Sequence, residues 1–294
     1  MTEATVTVAV ATLVAAPEKV RPADAAALDD RPGIGAWIAA MTPAEQTDSD
    51  VVTQLLFGER VLVDEVRPDG WARVVATGQP APGLDPRGYP GWIRAAHLAE
   101  RFPTGGGAPL VVDALSTALA HSPGGPSAVS GVVLGTLLTP AGAAVDGWLP
   151  VHAAGHADPL WARTDHLAPV PAGPPTGDEV LAMARRLLGA VYVWGGLSNL
   201  GIDCSGLVHL VWRRLGTALP RDAHDQSAAT AVVPRGEERP GDLYFFARPG
   251  RRIHHVGIVA EAGRMVHASS VAHRVVEEAM PPERAETLVG AHRV

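Results

Sequence analysis

The 294-residue sequence predicts an α+β domain preceded by two small β-barrels. Three observations carry that prediction. From Val51 onward the chain breaks into short runs rich in Val, Ile and Trp, separated by Gly, Pro and Asp, the signature of short strands and tight turns. The order of these features recurs once further along the chain, which points to a duplicated unit. The final third begins with two helical patterns and continues with strand patterns, as in α+β domains. Hydrophobic residues make up 47% and charged residues 19%, without a long polar tract, so the chain has material for several cores and suits two or three domains.

The amino-terminal MTEATVTVAVATLVAAP has a short apolar run but places Glu3 where a secretory leader carries Lys or Arg, so secretion is not expected. Residues 17–48 lack strand alternation and are expected to form loops with short helices around WIAAM and TPAEQ. VVTQLLF, ERVLVDEV, a PDG turn, WARVVAT and PGWIRAAHL then supply the strands of the first barrel. RFPTGGGAP at 101–109 reads as a linker, because Pro fixes the backbone and Gly releases it. SAVSGVVLGTLLTPAG, DGWLPVH and LWARTDHL repeat the theme. DGWARV at 69–74 matches DGWLPV at 146–151, and WIRAAHL at 92–98 matches WARTDHL at 161–167. A second linker, APVPAGPPTGD, spans 168–178. The predicted domains are residues 1–102, with an amino-terminal helical and loop extension, 103–170 and 171–294. The repeated order resembles bacterial SH3-like domains over about residues 50–168, and such domains often accompany peptidoglycan enzymes.

In the third part, TGDEVLAMARRLLGA places Val180, Met183, Ala184, Leu187 and Leu188 at helical spacing, behind a Thr/Asp start and before a Gly stop. Leu207, Val208, Val211 and Leu215 fall on one face of a second helix that starts at or beside Cys204. Strands follow at DLYFFA, HHVGIVA and RMVHASS.

Several function classes are excluded. A net charge of −7 without clustered Lys and Arg argues against nucleic acid, since phosphate binding depends on such clusters. No apolar stretch approaches the roughly 20 residues that span a bilayer, so a membrane span is not expected. His152 and His156 lie four apart among Gly, Ala and Pro with no third ligand, and no phosphate-binding glycine loop occurs. Neither a metal nor a cofactor is expected. The single cysteine rules out an internal disulfide and suits the reducing cytoplasm.

That cysteine is the strongest chemical signal. A thiol acts as a nucleophile only as thiolate, and a helix amino terminus or a neighbouring imidazolium favours that form. Cys204 occupies such a helix start. Gly201 and Gly206 flank it, allowing a sharp turn and close approach of a substrate backbone, and the helix amides suit an oxyanion. The base must come from among twelve histidines. In IHHVGIVA, alternation sets His255 with Gly257 and Val259, and His254 with Val256 and Ile258. The pattern alone does not choose between them. His267 on the next strand suits the orienting role of a third triad member.

YVWGG, DCSGLV, LPRDAHDQ, RPGDLYFF, HHVGIV and MVHASS occur in the order and approximate spacing of the NlpC family of papain-like cysteine peptidases, which the chain resembles over about residues 176–294. The resemblance implies Cys204 as nucleophile, His255 as base, His267 as orienting residue and Tyr192 beside the thiolate. Two SH3-like domains before such a domain resemble γ-D-glutamyl-L-diamino acid endopeptidases, which act on small freed murein peptides. That likeness implies that Glu59 in LLFGERV, Tyr89 in RGYPGW and Asp203 bind the free amine of L-Ala, and that Ser205 binds the D-Glu α-carboxylate. The residue after RD in LPRDAHDQ, often Ser in the family, is Ala223 here, so one carboxylate contact is in doubt. Arg221 suits either a substrate carboxylate or a structural ion pair with Asp222 or another acid. Two alternatives stay open: an amidase or acyltransferase on the same scaffold, and a wall-binding protein with a relic catalytic domain. The sequence leaves the oligomeric state and the preferred diamino acid open.

Overall fold

The computed structural model describes residues 2–100 and 107–294. It divides into two compact units. One comprises residues 1–41, 49–78 and 87–170, and the other 42–48, 79–86 and 171–294. Of the expected linker at 101–109, residues 101–106 lie outside the described residues.

The first unit holds two seven-stranded sheets. Numbered in chain order within each repeat, both read 3-2-6-5-4-1-7, so the duplication extends to topology. The shared sequence motif has a structural cause. In the DGW turn, Gly70 and Gly147 sit at φ +83° and +79°, a left-handed conformation that glycine adopts without strain. Their carbonyls accept from the amides of Ala95 and Thr164, both at 2.9 Å. Arg94 then stacks over Trp71 at 5.3 Å and Arg163 over Trp148 at 5.8 Å, so each W-x-R closes onto the tryptophan of its own repeat. Phe57 from the first repeat is buried in the core of the second, with Val112, Leu119, Leu138 and Leu160.

Strands begin earlier than the sequence reading placed them. Thr2–Val6 and Val10–Val14 belong to the first sheet, the second of them wholly buried. The helical segment expected as an amino-terminal extension is therefore an excursion between strands. It includes the helices Ile34–Ala40 and Pro43–Thr47. The reason is local: seven of the ten residues in TVTVAVATLV are β-branched, which favours strands, yet its alternation is not kept through AVATLV.

The second unit is built on a nine-stranded sheet. At its centre the strands Leu243–Ala247, Ile253–Glu261, Arg264–Ser269 and Arg274–Ala279 pair antiparallel in succession. Leu288–Arg293 extends it on one side and Val191–Tyr192 on the other. Gly177–Arg185 opens with the capping box that TGDE predicts, Thr176 and Glu179 satisfying each other's backbone amides. The helix Cys204–Arg214 buries Leu207, Val208, Leu210 and Val211. Gln46 accepts from the amide of Trp194 at 2.8 Å and Pro80 from that of Arg221 at 3.0 Å, which is how 42–48 and 79–86 join this unit. Among the described residues no helix is long and apolar enough to cross a membrane.

Candidate active site

Cys204 is the first residue of its helix and is 8% exposed. The amides of Ser205 and Val256 reach its sulfur, while burial and the Asp203 charge push its thiol up to about 12. Thiolate formation at this sulfur therefore depends on a base that takes the proton in the same step.

The helix start is fixed by Asp203, the N-cap. Its two oxygens accept from the amides of Gly206 (2.6 Å) and Gly195 (2.9 Å), from the Ser205 hydroxyl (3.3 Å) and from Arg221 Nη1 (3.0 Å) and Nη2 (2.8 Å). Arg221 is 1% exposed and also donates to Ser205 Oγ and to the Gly196 carbonyl. Gln226 Nε2 holds the carbonyls of Ser205 and Pro220, both at 2.9 Å. A Cβ on Gly206 would stand 2.3 Å from the Gly196 carbonyl oxygen. That glycine makes room for the chain's own backbone rather than for a substrate.

These contacts give three of the expected site residues a structural role. Arg221 takes the structural alternative, with Asp203 as a bidentate partner. The Asp203 carboxylate accepts from five donors of the second unit. The Ser205 hydroxyl belongs to the same network, donating to Asp203 and accepting from Arg221. Ala223 begins the short helix Ala223–Ala228 behind it.

The sheet separates the two adjacent histidines. His255 is 4% exposed and points inward, whereas His254 faces out. His255 Nε2 lies 2.8 Å from His267 Nδ1, and the rings meet edge to face at 5.0 Å. Gly257 permits this approach, since a Cβ there would meet His267 Cβ at 3.2 Å and Met265 Sδ at 2.7 Å. His267 Nε2 lies 3.0 Å from Glu278 Oε1 on Arg274–Ala279. Burial first, then Arg284 and the neighbouring histidines, hold His255 well below 6.5, so its imidazole is neutral at neutral pH. Burial also takes His267 to about 4, against the upward pull of Glu278.

Tyr192, 4% exposed, ends the short strand Val191–Tyr192. Burial raises its phenol strongly, and the charges at Cys204 and Asp203 add to the rise, so it is a neutral neighbour of the thiol. Glu59 and Tyr89 lie in the first unit, both buried, Glu59 just before the strand Arg60–Val66 and Tyr89 at the start of Tyr89–Arg94.

The chain matches the NlpC/P60 family model over residues 189–291. It is 33% identical to the γ-D-glutamyl-L-lysine dipeptidyl-peptidase of Bacillus subtilis (strain 168), over 90% of this chain and 89% of that protein. It belongs to the NlpC/P60 family. It is 29% identical to the protein of the same name in Bacillus cereus, over 94% of this chain and 85% of that one. The crystal structure of an NlpC/P60 protein from Bacillus cereus aligns over 99% of both chains, with a TM-score of 0.89 and 27% identity. The protein is a cysteine peptidase whose NlpC/P60 domain follows a strand-rich amino-terminal region.

Glu278 and Arg284 are absent from the residues picked out by sequence. Glu-rich RVVEEA reads poorly as a strand, because Glu is depleted in sheets. Once it is one, Val276 pairs with His267, and Glu278 shares that face by alternation. Glu278→Gln is expected to lower kcat roughly tenfold, less than the hundredfold or more typical of a general base itself. Because Glu278 raises the proton affinity of His267, its loss should also move the acid limb of kcat/KM to lower pH. A pH–rate profile from pH 4 to 8 tests this, and an unmoved limb would reduce Glu278 to a surface charge.

Proposed function

We propose that the protein hydrolyses the γ-D-glutamyl–diamino acid bond of small murein peptides, with Cys204 as nucleophile, His255 as base and His267 and Glu278 holding the base in place. The single observation that carries this reading is the chain His255–His267–Glu278, both histidines buried, in a cysteine peptidase that has one cysteine. Its relatives named for γ-D-glutamyl-L-lysine cleavage extend over nearly the whole chain. His255 takes the thiol proton as sulfur attacks the glutamyl carbonyl, then gives it to the departing amine. Water attacks the thioester, His255 taking its proton, and the γ-carboxylate and free thiol are restored.

The substrate carries a free amino-terminal L-Ala, whose ammonium is met by Glu59 and Tyr89. The enzyme then releases a dipeptide, recycles freed peptides and acts poorly on intact wall, where that nitrogen is acylated. The reading sets it in the cytoplasm, where a lone thiol stays reduced. Mass spectrometry of L-Ala-γ-D-Glu-diaminopimelate digests is expected to show L-Ala-D-Glu. N-acetylation of the substrate should lower kcat/KM at least about a hundredfold, since it removes the ammonium charge and with it a charged hydrogen bond worth about 3 kcal/mol. Glu59→Gln should narrow that gap. Equal hydrolysis of free and acetylated peptides by the unmodified enzyme would refute amine recognition and favour a wall-lytic role.

A further inference from the structure

Beside the catalytic histidines the second unit has a pocket of about 430 Å³, lined among others by Arg248, His254, Ser269, Glu278, Glu283 and Arg284. Its unusual feature is Arg284. The guanidinium is half-buried and rests on Phe246, 5.5 Å from the ring centroid, and the same ring neighbours His255 at 5.6 Å. Among the described residues neither Arg284 nor Arg248 forms an ion pair or a side-chain hydrogen bond. The nearby carboxylates do not remedy this. Glu278 is engaged by His267, and Glu283 is exposed and unpaired with Arg284. Burial costs Arg284 proton affinity, and both arginines bear on His254. A guanidinium withdrawn from water with its fork unfilled is a site for a carboxylate, which it can hold bidentately.

Which part of a substrate lies here follows from the direction of proton transfer. The acyl carbonyl must face the helix amino terminus at Cys204, and the departing nitrogen must face the imidazole that protonates it. The pocket is lined by Ser269 from the His267 strand, by Glu278, which binds His267, and by Arg284, which shares the Phe246 ring with His255, so it lies on the imidazole side, where the departing group leaves. We infer that this pocket is the subsite for the released amino acid and that Arg284, with Arg248 at the rim, binds a free carboxylate on it. The inference rests on the peptidase reading above. It adds a requirement on the leaving residue that the relatives' names do not contain.

The test has a kinetic arm and a binding arm. A tripeptide ending in a free carboxylate should have kcat/KM at least about tenfold above that of its carboxamide, since a charged hydrogen-bonded pair is lost in the amide. In Arg284→Gln the ratio should fall below about threefold, and in Arg248→Gln it should fall by less. Equal rates on acid and amide in the unmodified enzyme would overturn the subsite while leaving the peptidase reading intact. The binding arm uses the full-length Cys204→Ala protein, titrated by NMR with L-lysine, diaminopimelate and lysinamide. Stronger binding of the two acids, lost in Cys204→Ala/Arg284→Gln, supports the subsite even if no peptide is cleaved. Acids and amide binding alike, or acids binding undiminished by Arg284→Gln, would overturn it.

Discussion

Cys204→Ala is expected to reduce hydrolysis of the tripeptide to background, a loss of roughly ten-thousandfold or more, with the fold unchanged. No other cysteine exists to replace the sulfur. The truncation removes one buried atom at a position 8% exposed, and alanine is a good helix residue, so the cost in stability is about 1 kcal/mol. His255→Ala should approach the same inactivity for a different reason. With the thiol pushed up to about 12, hardly any thiolate exists at neutral pH unless a neutral base accepts its proton. In the proposed mechanism His255 is that base: burial keeps its imidazole deprotonated, and His267 lies 2.8 Å from its Nε2. His254, exposed on the opposite strand face, should cost at most about tenfold when replaced by Ala. Steady-state rates with thermal melts on all three variants separate chemistry from folding. A His254 variant as inactive as the Cys204 variant, beside an active His255 variant, would reverse the assignment.

The repeat architecture was legible because its cause is local. Gly in the DGW turn and Arg two residues after Trp must recur wherever this turn closes on its own tryptophan, so the duplication shows as a string match. The helix start at Cys204 was legible for the same reason, since capping and apolar spacing lie within one turn. What the sequence hid depends on pairing between distant strands. His254 and His255 are equivalent until neighbouring strands decide which face is inward. Glu278 becomes a partner of His267 only once Arg274–Ala279 pairs with Arg264–Ser269. Asp203 and Arg221 are 18 residues apart, and each alone suits a substrate contact. Only their mutual geometry shows that they bind each other.

That geometry makes Arg221→Met the variant with the largest expected structural effect. Arg221 is 1% exposed and supplies two hydrogen bonds to Asp203, one to Ser205 and one to the Gly196 carbonyl. A buried pair of this kind adds little net stability when formed, because desolvation offsets the attraction. Removing one partner is different, since it strands a carboxylate in the interior at about 3 to 5 kcal/mol. For a unit of this size that corresponds to a fall in Tm of roughly 6 to 20 °C. Asp203 would then turn outward, which releases the amides of Gly195 and Gly206 that set where the Cys204 helix begins. Displacing a nucleophile by about 1 Å can cost a hundredfold in rate, so activity measured well below the new Tm should fall at least that far. Arg221→Lys keeps the charge but not the fork and should fall between Met and the parent in both readouts. Because the two residues share one network, Asp203→Asn combined with Arg221→Met should destabilise less than the sum of the single changes. Calorimetry on the four proteins measures this coupling. Additive losses, or an Arg221→Met protein melting within 2 °C (about 0.5 to 1 kcal/mol) of the parent, would show that the pair does not hold the helix start in place.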